Sequence, residues 1–110
     1  MFIGEFSHSV DAKGRVAVPA KFRGKISGGA IITRGLDRCL FVFTKKDWDK
    51  LAGKLIELPI SQSNSRAFAR LMLSGASDVD IDSQGRILIP DYLRKYAGIS
   101  KAVTVIGVYS

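Results

Sequence analysis

One motif occurs twice in this chain of 110 residues, at an offset of 71 residues. The first copy reads DAKGRVAVPAKFR from Asp11 to Arg23, and the second reads DSQGRILIPDYLR from Asp82 to Arg94. The Asp, the Gly, the Pro and both Arg are identical, and the positions between the first Arg and the Pro are apolar in both copies. A unit of about 45 residues buries little apolar surface alone. The duplication therefore predicts two small units that share one core, within one chain or between several chains.

Each copy predicts a hairpin, in which two short strands flank a tight turn. The strands are expected at residues 6–10 and 16–18 in the first copy and at 79–81 and 87–89 in the second. Asp at the first turn position and Gly at the fourth are typical of a type I turn that ends in a left-handed glycine. Gly14 and Gly85 are therefore expected at positive φ, which glycine adopts without steric cost.

A proline follows each hairpin and predicts the start of a short helix. Pro19 and Pro90 lack a backbone N–H and suit the first turn of a helix. Helices are expected over residues 20–26 and 91–97, each ended by glycine, and strands return over 30–34 and 102–106. The first copy continues into a strand at 39–43, whereas the second stops at Ser110, where the corresponding strand is expected to begin.

Two amphipathic helices are expected between the copies. Thr44 can cap a helix over residues 45–58, and Ser63 or Asn64 can cap a second helix that extends to residue 73. Their apolar residues recur at helical spacing, which favours packing in the core or against another subunit over a ligand-binding role. The chain is divided into a first repeat at residues 5–47, linking helices at 48–75 and a second repeat at 76–110.

The net charge of +7 favours a polyanionic partner such as nucleic acid or an anionic membrane. Seven basic residues lie between Lys13 and Arg38, and only Asp37 opposes them there. The single cysteine, Cys39, cannot form an internal disulfide and is expected to pack as a small apolar side chain. Neither a signal peptide nor an apolar run long enough to span a bilayer is present, so we expect a soluble cytoplasmic protein.

Few residues could carry catalytic or metal-binding chemistry. His8 is the only histidine and Cys39 the only cysteine, which is too few for a Ser-His-Asp or Cys-His set or for a zinc site. Asp78, Asp80 and Asp82 alternate along a strand, but no calcium-loop Gly and Glu follow them, which favours a solvated strand face. We expect no enzyme activity, no cofactor and no bound metal.

The residues around each turn point instead to DNA. Asp11 and Arg15 can pair across the first turn, but an exposed ion pair stabilises a fold by only about 0–1 kcal/mol. Such a pair does not explain why Lys13, Lys21 and Arg23 crowd the same tip. A two-stranded β-ribbon fits the major groove, and an arginine can donate two hydrogen bonds to guanine or phosphate. A local ion pair, helix surface charge and subunit contacts are the alternatives.

The motif resembles the AbrB family of bacterial transition-state regulators, which carry Asp-x-x-Gly-Arg, three apolar residues, Pro, a short helix and Arg. The tandem copies, the opening Met-Phe-x-Gly-Glu and a Phe-Val-Phe-Thr strand before a Trp-containing helix resemble the MraZ family. The resemblance covers nearly all 110 residues. It implies an α+β fold, mainly β, in which two tandem AbrB-like swapped-hairpin repeats form an intrachain pseudo-dimeric β-barrel with flanking helices.

The resemblance also implies a function. It implies a sequence-specific DNA-binding transcriptional regulator, an autorepressor that binds direct repeats of double-stranded DNA upstream of the division and cell-wall gene cluster. The chains are expected to form a ring-shaped homo-oligomer, cytoplasmic and nucleoid-associated, with no membrane partner. The DNA-binding residues that the resemblance implies are Arg15 and Arg86, then Arg23 and Arg94, and Lys13 in the first copy.

The second copy departs from the first at one of these positions, because it has Gln84 where the first has Lys13. The structural residues of the two turns are expected to be Asp11, Gly14, Asp82 and Gly85. Two other functions stay open. One is an antitoxin-like module that binds a protein partner and regulates its own gene, and the other is an assembly protein whose basic face binds RNA or acidic proteins.

Overall fold

The computed structural model describes residues 4–59, 61–99 and 102–107, which contain seven strands and four helices. The strands are β1 Gly4–Ser9, β2 Arg15–Ala17, β3 Ala30–Arg34, β4 Leu40–Thr44, β5 Ser77–Val79, β6 Arg86–Leu88 and β7 Ala102–Gly107. The helices are α1 Ala20–Arg23, α2 Lys45–Ile56, α3 Ser63–Gly75 and α4 Asp91–Ala97, and 3₁₀ turns cover Gly24–Ile26 and Leu36–Arg38. The predicted α+β class is confirmed, with antiparallel sheets throughout the described residues.

Strand pairing joins the two repeats. β1 pairs with β7 from Gly4↔Gly107 to Ser9↔Ala102, and β2 pairs with β6 from Arg15↔Leu88 to Ala17↔Arg86. β3 lies between β4 and β5 in a sheet of three strands. Each of these sheets therefore contains a strand from the first repeat and a strand from the second. The ladders of backbone hydrogen bonds that build the sheets also hold the repeats together.

The two-stranded ribbon forms between the repeats, so the pairing predicted within each hairpin is wrong. Val10 and Val16 make a single bridge across the first turn, but β2 pairs along its whole length with β6. The physical reason lies in the inward residues. Pairing β2 with β6 sets Val16 directly opposite Ile87, each 5% exposed, so both enter one core.

One hydrophobic core contains residues of both repeats. Its buried members are Val10, Val16, Val18, Phe22, Ile26, Ala30, Ile32, Val79, Ile87, Ile89 and Leu93. The motif supplies most of them, because two apolar residues before each proline point inward and each short helix adds one large side chain. The two copies therefore share one core within a single chain.

The linking helices pack beside the three-stranded sheet. Thr44 caps α2 as predicted, since its Oγ1 accepts a hydrogen bond from the Asp47 N–H at 3.1 Å. Thr33, fully buried in β3, donates from Oγ1 to the Met72 carbonyl of α3 at 2.6 Å. The helix stripes are core in part, with Leu55 and Met72 buried. The hydrogen bond from Thr33 to Met72 attaches the end of α3 to the sheet and so positions β5, which directly follows α3.

Several predicted boundaries and one cap need correction. α3 begins one residue after Gln62, whose carbonyl accepts from the Arg66 N–H at 3.1 Å, so the predicted caps Ser63 and Asn64 lie inside the helix. β5 begins and ends two residues earlier than predicted, because its register against β3 runs from Ile32↔Ser77 to Ala30↔Val79. The remaining strands shift by one or two residues at most, and α4 and β3 have the predicted bounds.

The first short helix spans the predicted residues 20–26, but it tightens to a 3₁₀ helix at Gly24, a residue of low helix propensity. The expectation that Cys39 packs as a small apolar side chain is wrong. Cys39 is exposed because it lies in the chain turn between β3 and β4, outside the sheet. Its carbonyl accepts a hydrogen bond from the Gly35 N–H, and its own N–H donates to the Leu36 carbonyl. The expectations for Ser110 and for the side chain of His8 fall outside the described part of the chain.

Candidate nucleic-acid interface

The side chain of Asp11 holds the first turn. Its Oδ1 accepts hydrogen bonds from the backbone N–H groups of Lys13 at 2.9 Å and Arg15 at 2.8 Å. Gly14 donates its N–H to the Asp11 carbonyl at 3.0 Å and has a φ of +87°. The predicted type I turn with a left-handed glycine is therefore confirmed.

The second turn repeats this geometry. Asp82 Oδ1 accepts from the N–H groups of Gln84 at 2.9 Å and Arg86 at 2.8 Å. Gly85 donates to the Asp82 carbonyl at 3.0 Å with a φ of +77°. The same four-residue pattern thus builds the same turn in both copies.

The other carboxylate oxygen of each aspartate orients the arginine that follows the turn. Arg15 Nε donates to Asp11 Oδ2 at 2.7 Å, and Arg86 Nε donates to Asp82 Oδ2 at 3.0 Å. Arg86 Nη1 also lies 3.9 Å from Asp11 Oδ2, so both arginines approach one carboxylate. Nε makes the hydrogen bond in both copies, so these two bonds leave the N–H groups of the terminal nitrogens unused. Each aspartate therefore holds one side of its arginine's guanidinium group, and both arginine side chains remain partly exposed.

The same contacts lower the pKa of Asp11 and of Asp82. The largest cause is the hydrogen bond from the backbone N–H of Arg15 or Arg86, and desolvation opposes it. The side-chain bonds from the same arginines lower the pKa further. Both carboxylates are therefore charged at neutral pH and pair with their arginines there.

The ribbon of β2 and β6 has one buried face and one outward face. Val16 and Ile87 point inward, and alternate residues point outward because successive side chains of a strand lie on opposite faces. We call the outward side the outer ribbon face, formed by Arg15, Ala17, Arg86 and Leu88. The two arginine side chains are 32% and 27% exposed, and Leu88 is 52% exposed. The two predicted primary DNA-binding residues thus lie diagonally on one surface.

Arg23 reaches across the repeat boundary to the second turn. Its Nε donates to the Val18 carbonyl at 2.7 Å. A Cβ added to Gly85 would lie 2.5 Å from the same Nε, which is closer than real Cβ contacts. The Val18 N–H donates to the Gly85 carbonyl at 2.8 Å. Arg23 therefore covers the glycine of the opposite turn.

Arg94 does the same to the first turn. A Cβ added to Gly14 would overlap its guanidinium, and the Ile89 N–H donates to the Gly14 carbonyl at 3.0 Å. Both turn glycines thus have a positive φ, and a side chain at either position would also displace the arginine that covers it. Sequence reasoning missed this contact, although the last Arg of both copies, identical like the Gly, was a signal that could have suggested it.

The remaining basic candidates lie around the ribbon. Lys13 is exposed at the tip of the first turn, and Lys21 and Lys25 are exposed where α1 and its 3₁₀ turn continue from β2. In the part of the chain that the structure describes, no group of His, Cys, Asp or Glu side chains could hold a metal ion. No described helix has the length and apolar character needed to cross a membrane.

Comparison with known proteins identifies close relatives. The chain matches the family described as "MraZ protein, putative antitoxin-like" over residues 1–71 and 72–110. It is 52% identical over 108 residues to proteins named transcriptional regulator MraZ from Acetivibrio thermocellus and from Natranaerobius thermophilus, covering 98% of this chain and 76% of each relative. The solution structure of PHS018 from Pyrococcus horikoshii aligns with 98% of this chain and 91% of its own, at 17% identity and a TM-score of 0.44. That structural likeness is too low to bear on the fold.

Proposed function

Because this chain belongs to the MraZ family, as its sequence resemblance predicted, we propose that it is a transcriptional regulator that binds specific DNA sequences through its outer ribbon face. The observation that carries this proposal is the pair Arg15 and Arg86, each held at Nε by an aspartate and each partly exposed on the outer ribbon face. The names of the relatives support regulation of transcription. The excess of positive charge supports a polyanionic partner.

The geometry of the ribbon suits the major groove. A two-stranded antiparallel ribbon fits that groove, and an arginine there donates two hydrogen bonds to O6 and N7 of a guanine. Asp11 and Asp82 hold the guanidinium groups before DNA arrives, so less side-chain entropy is lost on binding. Lys13 is exposed at the turn tip, and in this proposal it contacts a phosphate and thereby positions the ribbon.

Arg23 and Arg94 have a second role in this proposal. They remain predicted DNA contacts, but their position over the opposite turns supports a positioning role, because each covers the glycine that shapes the other repeat's turn. A change at either arginine then alters DNA binding through the turn that presents Arg86 or Arg15.

We extend the proposal to the setting that the family resemblance implies. The chain acts as an autorepressor in the cytoplasm, on the nucleoid, at direct repeats upstream of the division and cell-wall gene cluster. Pairing of β1 with β7 and of β2 with β6 supports an intrachain pseudo-dimeric barrel. Chains assembled in a ring bind several repeats at once, and such multivalency raises affinity without new contacts.

Footprinting of the purified chain on the DNA upstream of its own gene tests this function. We expect protection of direct repeats spaced by about one helical turn, or a multiple of it, that persists against a scrambled competitor duplex. Protection that the scrambled duplex removes at equal concentration would show non-specific charge binding and would contradict the proposal.

A second candidate is an antitoxin-like module, which the description of the matched family favours. Such a module neutralises a protein partner and binds DNA only to regulate its own gene. Affinity purification of the chain from its own organism separates the two functions. A small partner protein recovered in a fixed ratio supports the antitoxin-like role, whereas its absence alongside a specific footprint supports the regulator.

A further inference from the structure

The two ends of the outer ribbon face differ. At one end the first turn lies beside Leu88, because Leu88 is opposite Arg15 and the Ile89 N–H donates to the Gly14 carbonyl at 3.0 Å. Lys13 belongs to this turn. We call the group of Lys13, Arg15 and Leu88 the leucine end.

At the other end the second turn lies beside Ala17. Arg86 is opposite Ala17, and the Val18 N–H donates to the Gly85 carbonyl at 2.8 Å. Gln84 belongs to this turn. We call the group of Gln84, Arg86 and Ala17 the alanine end.

The residues of the two ends occupy equivalent positions of the two sequence copies. The arginines are the same at both ends, but the residues beside them differ. Leu88 stands where the first copy has Ala17, and Gln84 stands where it has Lys13. The ribbon is therefore nearly two-fold symmetric in its backbone and guanidinium groups, but asymmetric in one apolar side chain and one charge.

Leu88 is unusual for its surroundings. It is 52% exposed on a face that otherwise carries two arginines and an alanine. It borders a shallow depression of about 290 Å³ with Val79 and Pro90, and Asp78 and Asp80 lie at the same depression. These two carboxylates repel phosphate while Lys13 attracts it, so the charge at the leucine end is mixed. The chemistry that suits Leu88 is an apolar group on the edge of a base.

The major groove offers such a group at one base only. Among the four bases, thymine alone carries a methyl group on its major-groove edge. Residues directly opposite in an antiparallel pair have Cβ atoms about 5 Å apart, and neighbouring base pairs are about 3.4 Å apart. A leucine opposite a guanine-reading arginine therefore reaches the next base step.

On the basis of the proposed function, we infer that Leu88 contacts the methyl group of a thymine adjacent to the guanine read by Arg15. Ala17 is too short to make the equivalent contact beside Arg86. The difference between Leu88 and Ala17, together with that between Lys13 and Gln84, gives each chain one preferred direction on the duplex. A site bound in one direction recurs as a direct repeat and not as an inverted one.

Replacement of thymine by uracil tests the contact, because it removes only the methyl group. In the footprinted operator, one such replacement in a single repeat should weaken binding by wild type about fourfold, the ratio expected for one buried methyl group. Leu88→Ala should bind the thymine and uracil duplexes equally. Ala17→Leu, the matched change at the alanine end, should keep the wild-type preference for thymine at that position.

The outcomes separate this inference from the function on which it rests. If wild type does not distinguish the operator from a scrambled duplex, the proposed function is wrong. If wild type binds the operator specifically but Leu88→Ala keeps the full thymine preference, only the contact is wrong. If Leu88→Ala changes the assembly size on gel filtration but keeps the thymine preference, Leu88 belongs to a subunit contact, and the inference is also overturned.

Cleavage from a tethered iron chelate tests direction. The chelate is attached at Lys13→Cys or at Gln84→Cys in a Cys39→Ser background, because Cys39 is exposed and would react as well. We expect the two variants to cut opposite flanks of every repeat. Cleavage of both flanks with equal strength by each variant would show that the chain binds in either direction.

Discussion

Asp11 and Asp82 each use two oxygens for two tasks. Oδ1 accepts two backbone N–H groups and shapes the turn, while Oδ2 binds the Nε of the arginine that leaves the turn. One side chain therefore connects local backbone geometry to the direction of a guanidinium group. This link explains why Asp and the first Arg recur together in both copies of the motif.

The lowered pKa of Asp11 predicts a pH dependence of stability. A carboxyl with a lowered folded pKa stabilises the fold above its unfolded pKa of about 4, and this contribution is lost as the pH falls through the folded value. Asp11→Asn keeps an oxygen for the two N–H groups but removes the charge. We expect it to melt below wild type at neutral pH, with the difference closing in acid, as measured by circular dichroism.

The matched control is Asp49→Asn, on the exposed side of α2. Its melting temperature should follow that of wild type at every pH. A difference between Asp11→Asn and wild type that stays constant down to the acid end would contradict the role of the Asp11 charge.

At the scale of elements, α1 and α4 hold each other's turns. Arg23 of α1 covers the turn that leads into β6, and Arg94 of α4 covers the turn that leads into β2. The two strands of the ribbon then pair with each other. Each repeat thus completes the other, and the turn glycine is the point of contact.

Substitution of a turn glycine tests this arrangement. Gly14→Ala puts a side chain at positive φ, which costs about 1–2 kcal/mol, and adds an overlap with Arg94. Gly53→Ala is the control, because a Cβ there meets nothing within 4 Å and the position lies inside α2, so stabilisation of about 0.5–1 kcal/mol is expected. Urea unfolding measures both changes.

The double variant Gly14→Ala with Arg94→Ala sharpens the test. Removal of the guanidinium relieves the overlap, so the loss should be smaller than the sum of the two single losses. If Gly14→Ala is as stable as Gly53→Ala, the claim that the first turn requires a glycine covered by Arg94 is wrong.

The elements also show how far sequence reasoning reaches. The turns, α4 and β3 were predicted within a residue because Asp, Gly and Pro set backbone geometry locally. The partner of β2 was not, because two three-residue strands of the same apolar pattern do not specify which edge they pair with. The sequence was enough to predict the two arginines of the outer ribbon face. It did not predict Leu88 as part of that face, because only the strand register places this exposed leucine opposite Arg15.

At the scale of the whole molecule, the candidate interface exists only where both repeats meet. Neither copy alone forms the outer ribbon face, because one strand of it comes from each. Folding of the shared core therefore also assembles the outer ribbon face, which is the proposed DNA-binding surface. The duplication supplies two arginines on one surface, each held by an aspartate, and small differences between the copies make that surface asymmetric.

The affinity of arginine variants for operator DNA tests the central claim most directly. Binding of wild type, Arg15→Ala, Arg86→Ala and Lys54→Ala to operator and scrambled duplexes is measured over a salt series. Lys54 is exposed on α2, which packs against β3, β4 and α3, so Lys54→Ala removes one positive charge outside the outer ribbon face. Wild-type affinity should fall with a log–log slope of about −0.9 per phosphate contacted.

Each arginine variant should lose about 1–3 kcal/mol on the operator and much less on the scrambled duplex, because it loses a base contact and not only charge. Lys54→Ala should keep the wild-type preference. If Arg15→Ala and Arg86→Ala bind the operator as tightly as Lys54→Ala does, the outer ribbon face does not read DNA.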